Sequence, residues 1–388
     1  MKTAELSTPT ILVDRDRLDA NLRRMQERAD REAVALRPHI KTHKSPRIAA
    51  MQRDLGARGI TVATVGEAEV FAEAGFGDIR VAYPLVGKEK HARLLALLRD
   101  GTRVSFLVDT VEGARMAAPV YADSGVEVPV LVKVDVGYGR VGIRWDDPSL
   151  VQLGETAAGL PGFRLVGILT HAGHSYHGPR ERESESGALR RYADLERDRM
   201  LEAAGRFSAA GLAGEGFEVS VGSTPTASVF ENREEEGFSV TELRPGTYAF
   251  FDVTQAALGS CRLEDCAATV LATVVSRHEE EDGRVRVILD AGKKILTAEK
   301  RHGSRGHGIL LPPPEGGSEP IGGAELFALS EEHGWLRTEP GVDLRIGDQV
   351  RIVPNHVCVV INTQDEFHLV EGDEVVETVP VEARGRVR

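Results

Sequence analysis

Short apolar runs alternate with amphipathic segments over the first 250 residues of the chain. An opening run at residues 10–13 predicts a strand, and Asp14 or Asp16 then caps a predicted helix whose apolar residues recur every three or four positions. β-rich runs and segments of helical periodicity follow one another from there. Strands are predicted at residues 33–39, 60–65, 78–83, 103–108, 128–134, 165–170, 217–221 and 240–243, and helices at 67–74, 88–98, 111–122 and 183–210.

These strands are nearly continuous apolar stretches, which is typical of a parallel sheet that helices cover. Eight such strands alternating with helices predict an α/β fold in which a (β/α)₈ TIM barrel closes. An open, doubly wound sheet is the structural alternative. No strand is followed by the G-x-G-x-x-G turn with which such a sheet binds dinucleotides, so the pattern favours the barrel.

The pattern changes after the eighth predicted strand, because the β-rich runs are no longer separated by long helices. Runs at 267–278 and 284–289 flank an acidic turn that ends Asp282-Gly283, which predicts a hairpin. Residues 301–323 are rich in Gly and Pro and predict a long loop. Further strands are predicted at residues 349–353, 357–361, 367–370 and 375–379.

Two domains follow from this change of pattern. We predict a barrel over residues 1–250, with the opening strand joining the second domain. Residues 251–388 are predicted to form a mostly antiparallel β-domain that carries a metal site.

Composition narrows the class of protein. Of the 388 residues, 48 are Lys or Arg and 60 are Asp or Glu, and the net charge of −12 argues against general nucleic-acid binding. No apolar run reaches the roughly 20 residues of a membrane helix, and residues 1–7 lack the apolar core of a signal peptide. We therefore expect a cytoplasmic protein with no membrane association. Three cysteines in so long a chain do not make a disulfide framework.

A lysine-rich segment closes the first predicted barrel strand. An apolar run ending at Leu36 leads through Pro38 into Lys41 and Lys44. A lysine at the end of a buried strand, packed among cations, has a desolvated amine with a lowered pKa, which suits Schiff-base chemistry with a carbonyl. The alternative is a solvated basic loop, which is the more common structure for this motif alone.

Two glycine turns are expected at the same rim of the barrel as Lys41, where barrel enzymes commonly hold phosphate. The seventh and eighth strands end in Gly222, Ser223 and Thr224 and in Arg244, Gly246 and Tyr248. Backbone N–H groups and hydroxyls in such turns bind phosphate, although each turn alone is usually only a turn. Together with a strand-end lysine, they predict pyridoxal phosphate, a phosphorylated aldehyde, anchored at both ends.

Further polar side chains follow the fifth and sixth strands. Arg140 comes after the fifth, where it would meet the cofactor ring or a substrate carboxylate, and an exposed salt bridge is an equal alternative. His171, His174, Tyr176 and His177 follow the sixth strand. Single histidines are usually structural, but such a cluster at the catalytic rim of a barrel favours proton transfer or metal binding.

A histidine and a cysteine lie two residues apart in the second domain. On the predicted strand, His356 and Cys358 would point to the same face and could bind one metal ion. Imidazole and thiolate favour Zn²⁺, with Mn²⁺ or Mg²⁺ as alternatives. A core cysteine beside an edge histidine is the structural alternative. Cys261 and Cys266 are separated by four residues and have no histidine nearby, so we expect them to be structural.

Four short motifs, taken together, resemble those of one enzyme family. They are RPHIKTHK at residues 37–44, GSTPT at 222–226, ELRPG at 242–246 followed by Tyr248, and PNHVC at 354–358. The set resembles the D-threonine aldolase and D-serine dehydratase family, which consists of fold-type III pyridoxal-phosphate enzymes related to alanine racemase. The likeness extends from residues 8–10 to residues 383–386.

The resemblance implies a role for each motif of the barrel. Lys41 would bind the cofactor as a Schiff base, with Lys44 as its neighbour. Arg140 would lie near the cofactor ring, and Arg244 would face the pyridine nitrogen, where a cation keeps that nitrogen unprotonated. The residues implied to hold the phosphate are Gly222, Ser223, Thr224, Gly246 and Tyr248.

The expected reaction is retro-aldol cleavage of a 3-hydroxy D-amino acid, of the D-threonine type, to glycine and an aldehyde. His356 and Cys358 would hold a divalent metal that polarises the β-hydroxyl. His174 or Tyr176 would act as the base, with His177 or a water on the metal as alternatives.

Dehydration of the D-serine type, to a 2-keto acid and ammonia, is the alternative reaction. Cys358 favours it, because dehydratases of this family often carry His-x-Cys and some aldolases His-x-Asp, whereas the segments around Gly173 and Glu242 resemble the aldolases more. An amino-acid racemase and a non-catalytic pyridoxal-phosphate carrier are further alternatives, and the His-x-Cys pair argues against both. The family also implies a homodimer.

Overall fold

The eight predicted barrel strands pair in parallel in the computed structural model, which describes residues 1–281 and 283–388. Neighbours in the sheet follow chain order, and the last strand returns to the first, with Glu242 opposite Ala35. A parallel bridge between His39 and Thr61 joins the first strand to the second, so the predicted barrel is confirmed. The strands are Ala35–Leu36, Ile60–Val62, Asp78–Pro84, Arg103–Val108, Val128–Asp135, Phe163–Leu169, Glu218–Val221 and Glu242–Leu243.

Helices follow most of these strands and begin where a side-chain oxygen can accept a backbone N–H. Asp14 accepts from the N–H of Arg17 at 3.0 Å and so caps the opening helix. Thr64, Thr110 and Ser184 cap three others in the same way. The helices of this part are Arg15–Arg31, Pro46–Asp54, Val65–Glu73, Lys88–Arg99, Val111–Ala122, Ser149–Gly159, Glu185–Ala209 and Thr224–Ala227.

The chain folds into two compact units. The barrel unit comprises Arg24–Lys41, Ile48–Gly246 and Gly385–Arg388. Leu107, Leu131 and Leu169, from three neighbouring strands, form a buried cluster inside it. The β unit comprises Met1–Arg23, Thr42–Arg47 and Thr247–Arg384.

A mixed, mostly antiparallel sheet makes up the β unit. Thr10–Asp14 lies within it, antiparallel to Ala268–Glu279 and parallel to Glu366–Glu371. In the described residues the remaining strands are Val285–Leu289, Ile309–Leu311, Ala324–Leu329, Gly334–Thr338, Gln349–Val353 and Glu374–Pro380, and short helices cover Val253–Ala257, Lys293–Leu296 and Val357–Ile361.

Three segments of the β unit test the predicted strands, hairpin and loop. Ala268–Glu279 and Val285–Leu289 pair as predicted for a hairpin, while Asp282 of the predicted turn lies outside the described residues. The predicted loop at 301–323 contains the strand Ile309–Leu311, which pairs with Gln349–Val353. The strand predicted at 357–361 is wrong, since those residues form a helix.

Across residues 1–281 and 283–388, none of the helices is both long enough and apolar enough to cross a bilayer.

Candidate active site

Lys41 lies directly beyond the first barrel strand, in the 3₁₀ turn Ile40–Thr42. The preceding backbone is held by the eighth strand, because the N–H groups of Arg37 and His39 donate to the carbonyls of Leu243 and Pro245, each at 2.9 Å. The regular strand is shorter than predicted, but the hydrogen-bonded pairing continues almost to the lysine. Lys41 is half-buried.

His171 connects the lysine to the glycine turn of the seventh strand. Its Nδ1 lies 2.9 Å from the carbonyl oxygen of Gly222. A carbonyl only accepts hydrogen bonds, so Nδ1 carries the proton and Nε2 keeps its lone pair. Burial and the charge of Lys41 hold the pKa of His171 well below its usual range, so the imidazole is neutral. Lys41 and Gly222 therefore share a neutral imidazole as neighbour.

The turns of the seventh and eighth strands approach each other closely at Gly222. A Cβ atom at this position would lie 2.7 Å from the backbone nitrogen of Arg244, and φ is +152°, so only glycine fits. The N–H of Gly222 donates to the carboxylate of Glu196 at 3.0 Å. Gly222 therefore allows the two turns to approach each other closely. Its own backbone N–H is already hydrogen-bonded to Glu196.

Glu196 organises the turn that was predicted to hold the phosphate. Besides Gly222, its carboxylate accepts from the N–H of Ala172 at 3.1 Å and from the hydroxyl of Thr226 at 2.6 Å. Thr226 in turn lies 3.0 Å from the hydroxyl of Ser223. Burial raises the pKa of Glu196. The sequence pattern did not identify this residue, because a glutamate on an amphipathic helix is usually solvated.

Arg244 is held rigidly inside the barrel. Its Nε donates to the hydroxyl of Ser220 at 2.7 Å, and Nη2 donates to the carbonyl of Thr170. Burial lowers the pKa of Arg244 to about 10, while the nearby carboxylate of Glu242 opposes that shift. Ser220 also donates to Glu242 at 2.6 Å, so the guanidinium is fixed through a hydrogen-bonded chain.

Glu242 is the buried anion of this network. It accepts from Arg37 at 2.5 Å and from Arg80 at 2.6 Å. Burial alone would raise the pKa of Glu242, but the two guanidinium groups lower it to about 2. A carboxylate paired with two cations is the arrangement that a buried charge requires.

A buried lysine, Lys133, also lies in the barrel and was missed by sequence reasoning. Burial and the charges of Arg244 and Arg140 lower the pKa of Lys133 to about 7. Its Nζ donates to the carbonyl of Val134 at 3.3 Å. Lys133 therefore has the desolvated, lowered-pKa amine that suits Schiff-base chemistry. The only signal in the sequence was a charged residue inside an apolar strand.

Arg140 lies in a loop whose conformation is fixed by hydrogen bonds to Asp135. The Asp135 carboxylate accepts from the N–H groups of Gly137 at 2.9 Å and Tyr138 at 2.8 Å. The guanidinium of Arg140 lies 5.4 Å from the ring centre of Tyr138, an exposed cation–π contact. Its charge reaches Lys133 and His171, where it contributes to the lowered pKa of each.

The two other predicted proton-transfer groups lie on the turn Gly173–His177. Burial and the charge of Arg199 lower the pKa of His174 to about 4. In the described part of the chain neither ring nitrogen of His174 has a hydrogen-bond partner, and its ring packs edge-on against Tyr192 at 5.2 Å. The ring of Tyr176 lies 6.4 Å from that of His171.

His356 and Cys358 come together in the β unit, although not on a strand. His356 has extended backbone immediately before the helix Val357–Ile361, and the N–H of Val357 donates to Asp252 at 3.1 Å. This cap stabilises a helical turn in a β-branched segment, which is why the strand prediction failed. The extended residue before the helix brings the imidazole into hydrogen-bond contact with Cys358.

Charged and hydroxyl groups surround His356 and Cys358. Burial alone would lower the pKa of His356, but Cys358 and Asp252 raise it to about 9. The Cys358 sulfur lies 3.2 Å from the hydroxyl of Thr42 and 3.7 Å from that of Thr247. An imidazole and a thiol in contact fit a transition-metal ion such as Zn²⁺.

The set of candidate metal ligands is small. Within the described residues, no group of three or more His, Cys, Asp or Glu side chains is placed to share an ion. Two protein ligands fit an ion that is weakly held and open to further ligands. Cys261 is half-buried and Cys266 is buried. Both are free thiols, and they interact with each other.

The remaining predicted phosphate residues are buried. In the barrel unit Ser223 is 3% exposed and Thr224 is 1% exposed. Tyr248, in the β-unit turn Thr247–Ala249, is 1% exposed, and its role stays a prediction. An amine at a strand end, buried hydroxyls beside a glycine turn and a fixed guanidinium are a donor set that fits pyridoxal phosphate.

Comparison with family models agrees with this arrangement. The model described as "Alanine racemase, N-terminal domain" matches residues 13–253, and the model described as "Putative serine dehydratase domain" matches residues 267–370. Fold and barrel site together define a pyridoxal-phosphate enzyme of fold type III.

Two curated relatives match nearly the whole chain. D-threo-3-hydroxyaspartate dehydratase of Delftia sp. (strain HT23) is 36% identical and covers 96% of this chain and 96% of its own length. D-threonine aldolase of Arthrobacter sp. is 35% identical and covers 98% of this chain and 94% of its own. The chain belongs to the D-threonine aldolase and D-serine dehydratase family of pyridoxal-phosphate-dependent lyases.

Solved structures of D-threo-3-hydroxyaspartate dehydratase have the same fold. Two mutants superpose with a TM-score of 0.87 at 34% identity, covering 98% of this chain and 96% or 98% of their own. One replaces a histidine with alanine, and the other replaces a cysteine with alanine and is in the metal-free form. The two substituted residues are two positions apart, as His356 and Cys358 are here.

Proposed function

We propose that this lyase uses pyridoxal phosphate and a divalent metal to cleave 3-hydroxy D-amino acids of the D-threonine type to glycine and an aldehyde. The neutral imidazole of His171 next to Lys41 is the observation that carries the proposal. Retro-aldol cleavage needs a base for the β-hydroxyl proton. Nε2 of His171 has a lone pair and no proton, so it can accept that proton but cannot donate one to a departing hydroxyl.

The chain's own groups have separate tasks in this reaction. Lys41 supplies the amine that holds the cofactor and is displaced by the substrate amine. His171 accepts the proton of the β-hydroxyl through Nε2, and Arg140 offers a cation to the substrate carboxylate. Lys41 and the turn at Gly222 would hold pyridoxal phosphate, which would supply an electron sink for cleavage of the Cα–Cβ bond, and His356 and Cys358 would hold a divalent metal, which would supply Lewis-acid chemistry for the β-hydroxyl.

Dehydration is the second candidate, and the metal pair favours it. His356 and Cys358 match the spacing of the histidine and cysteine that are substituted in the mutants of the Delftia dehydratase. In that reaction the amine of Lys41 would remove the Cα proton, and the metal would assist loss of the β-hydroxyl.

Three finer expectations form part of the proposal. Zinc is the proposed metal because its preferred ligands include both imidazole and thiolate. A homodimer is proposed from the family resemblance. The net charge of −12 and the absence of long apolar runs support a cytoplasmic location.

Product identification decides between the two reactions. The protein, loaded with pyridoxal phosphate and Zn²⁺ or Mn²⁺, is incubated with D-threonine and with D-serine, and products are identified by mass spectrometry. We expect glycine and acetaldehyde from D-threonine. A 2-keto acid with ammonia would establish dehydration instead, and formation of the L-enantiomer alone would contradict both.

Replacing His171 with asparagine tests the assigned base. Asparagine can still donate to the Gly222 carbonyl but has no group at the place of Nε2, so kcat should fall by about 10²–10⁴-fold while cofactor content is unchanged. The exposed His333 of the β unit offers a control with the same chemical change, and His333→Asn should stay within about twofold of wild type. Equal activities of His171→Asn and wild type would move the base to His174, Tyr176 or His177.

The pH dependence of kcat should also show that the base is a histidine with a lowered pKa. Because burial and Lys41 lower the pKa of His171, its base form persists below the ordinary histidine value of 6.5. The fall of kcat that depends on His171 is therefore expected only at pH values below 6.5.

A further inference from the structure

Glu299 lies directly behind the imidazole of His356. Its Oε2 is 2.6 Å from Nδ1. A carboxylate accepts hydrogen bonds, so Nδ1 carries a proton and Nε2 is left for Cys358 and for a metal. The two ring nitrogens point to opposite sides, so Glu299 cannot bind the same ion as Nε2.

Glu299 is itself fixed from two directions. The guanidinium of Arg301 donates to Oε1 of Glu299 at 2.8 Å, so each carboxylate oxygen has its own partner. The side-chain amide of Asn355 donates to the backbone carbonyl of Glu299 at 3.1 Å and to that of Gly306 at 3.2 Å. The residue next to His356 in sequence thus holds the segment from which Glu299 reaches the imidazole.

We propose that Glu299 is a positioning residue for the metal site, which fixes the tautomer and the orientation of His356 through Nδ1. The inference rests on the metal site of the proposed function and adds a residue that neither the sequence motifs nor the ligand pair identify. In metal sites generally, a carboxylate behind a ligating histidine orients the ring and makes it a better ligand. A site to which the described residues bring two ligands depends strongly on that orientation, because none of them supplies a third side chain that could compensate for a misplaced ring.

Metal affinity tests the proposal without reference to activity. The holoenzyme is stripped with a chelator and titrated with Zn²⁺ against a competing dye. Glu299→Ala should weaken binding by about 10–100-fold, the usual effect of removing such a partner. Glu299→Gln should fall between wild type and Glu299→Ala, because the amide oxygen can still accept from Nδ1 while the charge is lost.

Two controls separate positioning from folding. Glu319 is an exposed glutamate in the same part of the chain, and Glu319→Ala should bind Zn²⁺ as wild type does. With saturating Co²⁺, the thiolate-to-cobalt absorption band should persist in Glu299→Ala, because Cys358 still binds, and should be absent in Cys358→Ala. Thermal unfolding of the metal-free proteins shows whether Glu299→Ala has lost stability; if it has, Glu299→Gln carries the test.

The possible results distinguish this inference from the proposed function. If Cys358→Ala loses Zn²⁺ and both Glu299 variants bind it as wild type does, Glu299 has no positioning role and the metal site stands. If wild type and Cys358→Ala take up Zn²⁺ equally, the metal site fails, and the role of Glu299 fails with it.

Discussion

Lys41→Ala is expected to lose the visible absorbance of the bound cofactor and at least about 10²–10⁴-fold of the lyase activity, because it removes the amine that is proposed to bind the cofactor. The absorbance and a turnover assay at saturating pyridoxal phosphate measure the two losses. The half-buried lysine lies in a 3₁₀ turn whose preceding backbone is held by the eighth strand, so the fold should survive the substitution.

Lys44→Ala is the matched control for this prediction. Lys44 is buried in the β unit, where its Nζ donates to the carbonyl of Ala383 at 3.4 Å and its own carbonyl accepts from the N–H of that residue at 3.0 Å. Lys44→Ala should therefore keep the visible absorbance. A Lys41→Ala protein that retained the absorbance and the activity would contradict the cofactor assignment.

Cys358→Ala and His356→Ala are each expected to lower metal content and activity together. Each variant leaves one protein ligand where two were in contact, so metal affinity should fall by more than the roughly 10–100-fold of an outer-sphere change. Metal content after dialysis, measured by atomic emission, and turnover with and without added Zn²⁺ give the result. Partial rescue of activity by excess metal is expected, since the remaining ligand still binds.

Cys261 provides the control for loss of a thiol. It is half-buried and interacts with Cys266. Cys261→Ala should keep wild-type metal content. If Cys358→Ala also kept both its metal and its activity, His356 and Cys358 would be an ordinary structural pair.

The barrel could be predicted because its strands are buried on both faces. Runs such as residues 103–108 and 111–122 coincide with the observed Arg103–Val108 and Val111–Ala122, since apolar continuity and helical periodicity are local properties of the sequence. The hairpin of Ala324–Leu329 and Gly334–Thr338 was not predicted. Its strands are only partly buried and follow a Gly- and Pro-rich segment, so their pattern is weak.

The helix after His356 shows where local propensity misleads. Val357, Val360 and Ile361 favour a strand, but Asp252, more than one hundred residues earlier, accepts the N–H of Val357 and caps a helical turn. Such a contact has no signature in the local pattern. The pairing of His356 with Cys358 was nevertheless anticipated, because short separation in sequence keeps the two side chains near each other in either conformation.

The functional groups that sequence reasoning missed all depend on long-range burial. Glu196 and Lys133 look like surface charges in the sequence, yet the first accepts from three groups of two separate turns and the second is enclosed by the barrel. His171 was one of three histidines in its cluster. Only the carbonyl of Gly222, brought near by the sheet, distinguishes it as the imidazole with a fixed tautomer.

The central claim is that Lys41 is the lysine that binds the cofactor. The barrel also contains Lys133, whose amine could bind the same aldehyde, so identifying the bonded lysine tests the claim directly. Reduction of the loaded enzyme with borohydride makes the lysine–cofactor bond permanent, and peptide mass spectrometry then locates it. We expect the mass of the reduced cofactor on the peptide that contains Lys41. The same mass on the peptide containing Lys133 or on Lys44, with Lys41 unmodified, would contradict it.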